Sequence, residues 1–445
     1  MPSKPARIIS SLLIKKLIYG GSGLGRDDKG KTIFVPMALP GEVANVRIVR
    51  EKKDYAEGTV DDILTASPER RLPPCPVFGA CGGCQLQHLS EEGQAVHKSE
   101  IVHEFMGQIQ KESFQKEPFT IHPLIRDEGS LHYRLRGQLK VQNKQIGFYR
   151  TKSHDIVPVN DCAIMIDPLN QALTFLIEKG IALITDAYGG VLPKNYTIEL
   201  QGTRLGEVLI ILIDATSTTF SMEKMTSFFD ATRVAERLHF SGVVVYRGKN
   251  RLCLGKDYLT YNVAGNNIRV SDQSFVQVHG GMHDLLIKTV SAWANSEKSK
   301  ESHWLELHAG VGMFTLPLSE IAGSIIGIEG SPYAVLDAKF NLKEAGYQQT
   351  QIIAASVETA LTVFAPHSFT DLLMDPPRGG IAPSTIKEIG RLSPRRILYL
   401  SCHPATLVRD IRGLVSEGYH LQQVQPFDLF PQTGHVEILV ELKAR

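Results

Sequence analysis

Three stretches of this chain hold residues whose types and spacing could do chemistry. The first is Ser401-Cys402-His403-Pro404-Ala405-Thr406, a thiol placed directly after the apolar run Ile397-Leu398-Tyr399-Leu400. Such a run reads as a buried strand, and its carboxyl end is where open α/β sheets place their ligands. A cysteine at a strand-to-helix turn, near helix N–H groups and Arg409, has physical reasons to ionise and act as a nucleophile; packed on its own it is a small buried hydrophobe. The second stretch sets Cys75, Cys81 and Cys84 within ten residues among glycines, with Cys162 far downstream as the available fourth thiol. This is a cage for a metal or cluster, and tetrathiolate zinc and an iron–sulfur centre both satisfy the spacing. The third is Glu437, which follows Gly434-His435-Val436 into the apolar run Ile438-Leu439-Val440. A carboxyl among apolar neighbours is held above its ordinary pKa and suits proton abstraction; on an edge strand the same residue would simply be a surface acid.

Elements that must position these groups follow from the pattern after about residue 270, where strands and helices alternate and a parallel sheet is expected. Trp304-Leu305-Glu306-Leu307 reads as a strand running into His308-Ala309-Gly310-Val311-Gly312, whose glycines let a nucleotide-like ligand approach the turn. The next strand ends in Glu329, 19 positions beyond Gly310, where a carboxylate can accept both hydroxyls of a ribose. The third glycine of the dinucleotide fingerprint is missing and no P-loop lysine follows, so S-adenosylmethionine fits better than NAD or ATP. Asp375-Pro376-Pro377-Arg378 closes another strand with a stiff loop that would hold Asp375 over the sheet edge, or be only a tight turn.

With 445 residues the chain has room for about three domains. A formal net charge of +1 excludes recognition of nucleic acid by the overall field and leaves local patches. Residues 1–53 form one, with 11 Lys and Arg against 4 Asp and Glu. Short β-rich runs and glycine turns between about 8 and 66 suggest an OB-type barrel, in which Lys15, Lys16, Arg26, Lys29, Lys31, Arg47, Arg50, Lys52 and Lys53 could line a groove for single-stranded nucleic acid. A helix is expected from about 86 to 108, and a mixed α+β unit from about 118 to 262. Within that unit Tyr133-Arg134-Leu135-Arg136 could stack on and clamp RNA, or form an exposed strand face, and Cys253 reads as core. No run of 18 apolar residues and no secretory leader pattern occurs, so a cytoplasmic protein with reduced thiols is expected, without membrane contact.

Taken in order, Asp272-Gln273-Ser274-Phe275-Val276-Gln277-Val278, the G-x-G-x-F-T turn, Asp375-Pro376-Pro377-Arg378, Ser401-Cys402-His403-Pro404-Ala405-Thr406 and His435-Val436-Glu437 resemble the RNA uracil-5-methyltransferases, over nearly the whole chain. The resemblance is strongest to the bacterial branch acting on 23S rRNA, with an N-terminal TRAM domain and a 4Fe-4S cluster. It implies three units: a TRAM-like barrel over 1–66, a cluster-binding and α+β RNA-binding region over 67–265, and a Rossmann-like class I S-adenosylmethionine-dependent methyltransferase domain over 266–445. It implies that Cys402 adds to C6 of the target uracil and Glu437 takes the C5 proton. Gln277, His308, Gly310, Gly312, Glu329 and Asp375 would bind S-adenosylmethionine, and Cys75, Cys81, Cys84 and Cys162 would hold the cluster. A monomer that needs no protein partner is also implied. A tRNA-directed enzyme, and a non-catalytic RNA-binding or assembly factor, are the alternatives. The chain departs from the family pattern at His308-Ala309, Met313, His279 and His403.

Overall fold

The computed structural model describes residues 7–445 except 112–114, 194–195, 215–219, 234–237 and 297–300; Lys4 of the basic segment lies outside the described residues. Strands β1 (Ile8–Leu17), β2 (Ser22–Arg26), β3 (Thr32–Pro36), β4 (Val43–Glu51) and β5 (Tyr55–Thr65) alternate buried and exposed residues, the pattern of a strand with one face on a core. They close into a barrel in the order β1-β2-β3-β5-β4 around Ile14, Ile33, Val35 and Val46.

Helix α1 (Glu91–Lys111) begins later than its sequence suggests, because residues 86–89 turn back, Leu89 forming an isolated bridge with Arg70, and Gln94 donates to the Leu86 and Leu89 carbonyls. The short strand β6 (Thr120–Ile121) follows. Next come β7 (Arg136–Gln142), β8 (Gln145–Tyr149), β9 (Ile156–Pro158), α2 (Asp167–Phe175), a π-helical turn, α3 (Ile181–Ala187), β10 (Tyr196–Gly202), β11 (Glu207–Asp214), α4 (Met222–Arg233), β12 (His239–Arg247) and β13 (Asn250–Gly255). The strands make a seven-stranded sheet in the order β13-β12-β11-β10-β7-β8-β9, followed by the hairpin β14 (Tyr258–Val263) and β15 (Asn266–Ser271).

The last part alternates as its sequence predicts: α5 (Met282–Asn295), β16 (His303–Leu307), α6 (Thr315–Ile321), β17 (Ser324–Glu329), α7 (Pro332–Glu344), β18 (Gln351–Ala354), α8 (Val357–Leu361), β19 (Asp371–Met374), α9 (Pro383–Leu392), β20 (Arg396–Ser401), α10 (Pro404–Ser416), β21 (Tyr419–Phe427) and β22 (Glu437–Ala444). The sheet runs β18-β17-β16-β19-β20-β22-β21-β6. Its first five strands are parallel, whereas β22 is antiparallel to both neighbours and β6, from far upstream, pairs with β21. Side chains of α5, α6 and α7 cover one face and those of α8, α9, α10 and α1 the other, as doubly wound sheets require. Arg396 stitches the sheet to α5: its guanidinium donates to Asp371 at 2.7 Å and to the Trp293 and Ala294 carbonyls, and lies over Trp304. Among the described residues no helix is long and apolar enough to cross a membrane.

Candidate active site

The carboxyl ends of β16, β17, β19 and β20 open onto one cleft of about 590 Å³, lined by Gln277, His308, Gly310, Glu329, Asp375, Cys402 and Glu437. Seven of the eight residues expected to catalyse or hold the donor therefore meet. Gly312 does not line it. At φ +85° it turns the chain towards α7, with Ala338 3.6 Å from where its Cβ would stand.

The two reactive candidates are brought together by register. Ser401 of β20 pairs with Ile438 of β22, so the next residue towards the cleft on each strand is Cys402 on one side and Glu437 on the other. Glu437 is not the surface acid an edge strand would give: β22 lies inside the sheet, and Glu437 is 1% exposed with neither carboxylate oxygen hydrogen-bonded. Burial, reinforced by Asp375, holds its carboxyl well above the ordinary 4.5. Burial also pushes Asp375 up to about 7, against a hydrogen bond from Gln277. The expectation that Cys402 is predisposed to ionise is corrected. Burial and the neighbouring Glu437 push its thiol up to about 11, and the nearby cation is Arg378. Arg409 is spent on Asp410 and the Gly379 carbonyl.

The loops beneath are set by buried polar side chains that sequence patterning does not single out. Asp337 of α7 accepts from the Ser271 amide at 2.8 Å and from the hydroxyls of Ser271 and Ser274, fixing the segment that leads to Gln277. Asn341, one helical turn on, donates to the Val311 carbonyl at 2.9 Å and holds the glycine turn. Glu329 accepts from the Gly310 amide at 2.9 Å and the Ser331 amide at 2.6 Å, which aims its carboxylate into the cleft; each oxygen keeps a lone pair for a ribose hydroxyl. Gly310, at φ +55°, has nothing within 4 Å of a built Cβ, so its backbone is open to a ligand. These features fit a nucleoside with a charged tail. Beyond β20, Pro404 opens α10 and His403 caps it, Nδ1 accepting from the Thr406 amide at 3.3 Å.

A second cavity, of about 170 Å³, is lined by Cys75, Cys81, Cys84 and Cys162 together with Val77, Phe78 and Met165. Burial pushes the Cys84 thiol up to about 12 and raises Cys81 and Cys162, so these thiols bind as thiolates only against positive charge. Among the described residues no three His, Cys, Asp or Glu side chains converge closely enough to hold a single metal ion. Four thiols around one cavity are a donor set that thiolate-held metals and clusters both use.

One expectation about RNA contacts changes. Tyr133 is 1% exposed, stacks on His279 and donates to the Pro431 carbonyl at 3.0 Å, so it is core and cannot stack on a base. In the barrel, Lys16, Lys31, Arg47 and Arg50 are paired with Glu104, Glu51, Asp61 and Glu57. Cys253 is half-buried at the edge of the central core.

A Rossmann-like sheet with a donor cleft at its carboxyl edge, an added α+β unit and an N-terminal barrel define an S-adenosylmethionine-dependent RNA methyltransferase architecture. The family described as tRNA (Uracil-5-)-methyltransferase matches residues 108–445, and the TRAM domain matches residues 11–60; the chain belongs to this family of S-adenosylmethionine-dependent RNA uracil-5-methyltransferases. It is similar to the 23S rRNA (uracil(1939)-C(5))-methyltransferase RlmD of Enterobacter sp. (strain 638), at 32% identity over 433 residues, covering 94% of this chain and 93% of that one. An uncharacterized RNA methyltransferase of Aquifex aeolicus (strain VF5) is 31% identical over 447 residues, covering 100% of both chains. Among solved structures, the tRNA (uracil-54, C5)-methyltransferase of Pyrococcus abyssi in complex with S-adenosyl-L-homocysteine has a TM-score of 0.72 at 21% identity, covering 97% of this chain and 99% of that one, a likeness of fold.

Proposed function

We propose that the protein methylates C5 of a uridine in 23S rRNA through a covalent adduct on Cys402. The observation that carries the chemistry is the register that sets Cys402 beside Glu437 in the cleft of Gln277, Glu329 and Asp375. The full-length similarity to a 23S rRNA enzyme supports the substrate. S-adenosylmethionine, when bound, would supply a sulfonium methyl group, and Gln277, His308, Gly310, Glu329 and Asp375 would hold it in the cleft. Cys402, deprotonated, adds its sulfur to C6 of a uracil turned out of its stack, which makes C5 nucleophilic enough to take the methyl group. Glu437 then accepts the C5 proton, and the C6–sulfur bond breaks to restore the C5–C6 double bond and the free thiolate. Arg378, beside both groups, offsets the negative charge that the thiolate brings.

We infer further that Cys75, Cys81, Cys84 and Cys162 hold a 4Fe-4S cluster in a structural role, because no step of this reaction moves electrons. The reading is tested with labelled S-adenosylmethionine and total RNA from cells lacking the protein, followed by separation of rRNA from tRNA and mapping of the labelled nucleotide. Label at one 23S uridine, abolished by Cys402→Ala, is expected; label in tRNA alone would favour a tRNA substrate, which the family's description allows. No donor binding by calorimetry would favour the non-catalytic alternative.

A further inference from the structure

The turn between β1 and β2 leaves the barrel and reaches the carboxyl edge of the catalytic sheet. Gly20 and Gly21 have φ of +92° and +83°, and the Gly20 amide donates to the Gly434 carbonyl at 3.0 Å. The two backbones touch: a Cβ on Gly434 would stand 2.3 Å from the Gly20 carbonyl carbon. This docking delivers Tyr19 into the space between two catalytic segments, where it packs on the core of the catalytic sheet. Its hydroxyl donates to the Cys402 carbonyl at 2.9 Å and lies 3.1 Å from Nδ1 of His435. Its ring meets His403 edge-on at 5.0 Å and His435 at 5.7 Å.

The phenol has one proton, and a carbonyl can only accept. With that proton on the Cys402 carbonyl, Nδ1 of His435 must donate to the tyrosine oxygen, which fixes the imidazole as the tautomer whose Nε2 carries the lone pair. One side chain thus grips the nucleophile's own peptide and the ring two residues before Glu437. We propose that Tyr19 is a positioning residue for methyl transfer, so that the barrel completes the catalytic centre as well as holding RNA. This deepens the Cys402 and Glu437 reading and rests on it.

RNA holding and positioning separate kinetically, because the first sets KM and the second kcat. The test uses the full chain and Tyr19→Phe, which keeps the ring and removes the hydroxyl. Methyl transfer is followed, and in parallel the rate at which iodoacetamide alkylates Cys402 without RNA, read by peptide mass spectrometry with Cys253 as internal reference. Expected are a kcat lowered about tenfold, the scale of one lost buried hydrogen bond, an unchanged KM for RNA, and faster alkylation of Cys402 alone. Equal Cys402 alkylation in the two proteins, a change confined to KM, or faster alkylation of Cys253 as well, which marks a generally loosened fold, would each overturn the proposal. Should the wild type itself transfer no methyl group, the methyltransferase reading fails, and the alkylation contrast still decides on Tyr19.

Discussion

In the proposed mechanism a buried acid, Glu437, and a half-buried thiol, Cys402, divide one reaction. Glu437→Gln still allows sulfur addition and methyl transfer but leaves the C5 proton without an acceptor, so a protein–RNA adduct that survives a denaturing gel should accumulate and vanish in the double variant with Cys402→Ala. Because burial raises both groups, and Cys402 to about 11, their active forms grow with alkalinity; kcat/KM is expected to climb between about pH 6 and about pH 9 without a plateau. Asp375 gives the matching stability test. Its carboxyl is raised in the fold from 3.8 to about 7, so the native state binds the proton more tightly than the unfolded chain, and stability falls as pH rises through that window. Asp375→Asn should therefore raise Tm by a few degrees at about pH 8 and leave it unchanged near pH 3, as scanning calorimetry would show. Cys402 was legible in the sequence because an apolar run ends there, whereas the burial of Glu437 was not, since a terminal strand can sit at an edge or inside a sheet. Tyr19 was invisible: its partner carbonyl is 383 residues away.

At the level of elements, strand and helix alternation announces the parallel half of the catalytic sheet, because βαβ units carry their own periodicity. The antiparallel insertion of β22 and the pairing of β6 with β21 depend on strand order and leave no local trace. Arg396 ties the centre of this sheet together, with Asp371 at 2.7 Å and Glu441 at 3.9 Å. Arg396→Met removes the cation facing two buried carboxylates, which keep neutral donors, Thr370 on Asp371 and Gln423 on Glu441, and a loss of about 3–5 kcal/mol is expected from urea unfolding. A smaller effect belongs to the glycine turn. Gly312→Ala has room for its methyl group but must hold φ near +85°, a strain of about 1–2 kcal/mol that should weaken S-adenosylhomocysteine binding in calorimetry roughly tenfold.

Across the whole molecule, the loop between β21 and β22, which carries Phe430 into the cleft, is clamped by upstream chain. The Gln85 and Leu86 amides donate to the Gln432 carbonyl at 3.0 and 2.9 Å, and buried Lys98 reaches Asp428 at 2.6 Å. Gln85 directly follows Cys84, so backbone hydrogen bonds join the cysteine segment to this loop. If the four cysteines hold the proposed cluster, protein purified anaerobically is brown, and its air oxidation should speed amide exchange in residues 428–436, measured by mass spectrometry, with α5 unaffected. Colourless anaerobic protein with stoichiometric zinc would count against the cluster. The spacing of Cys75, Cys81 and Cys84 points to a metal or cluster cage, and the fold brings the three to one cavity with Cys162; which loop that cavity adjoins depends on contacts no motif records.

The seam between Gly20 and Gly434 has a genetic consequence. Two bare backbones meet there with no side chain to trim, so a defect from alanine at 434 has few local remedies. Suppressors selected in living cells should fall in the 18–21 turn itself, and an N-terminal barrel borrowed from a relative should work only when the 434 neighbourhood travels with it.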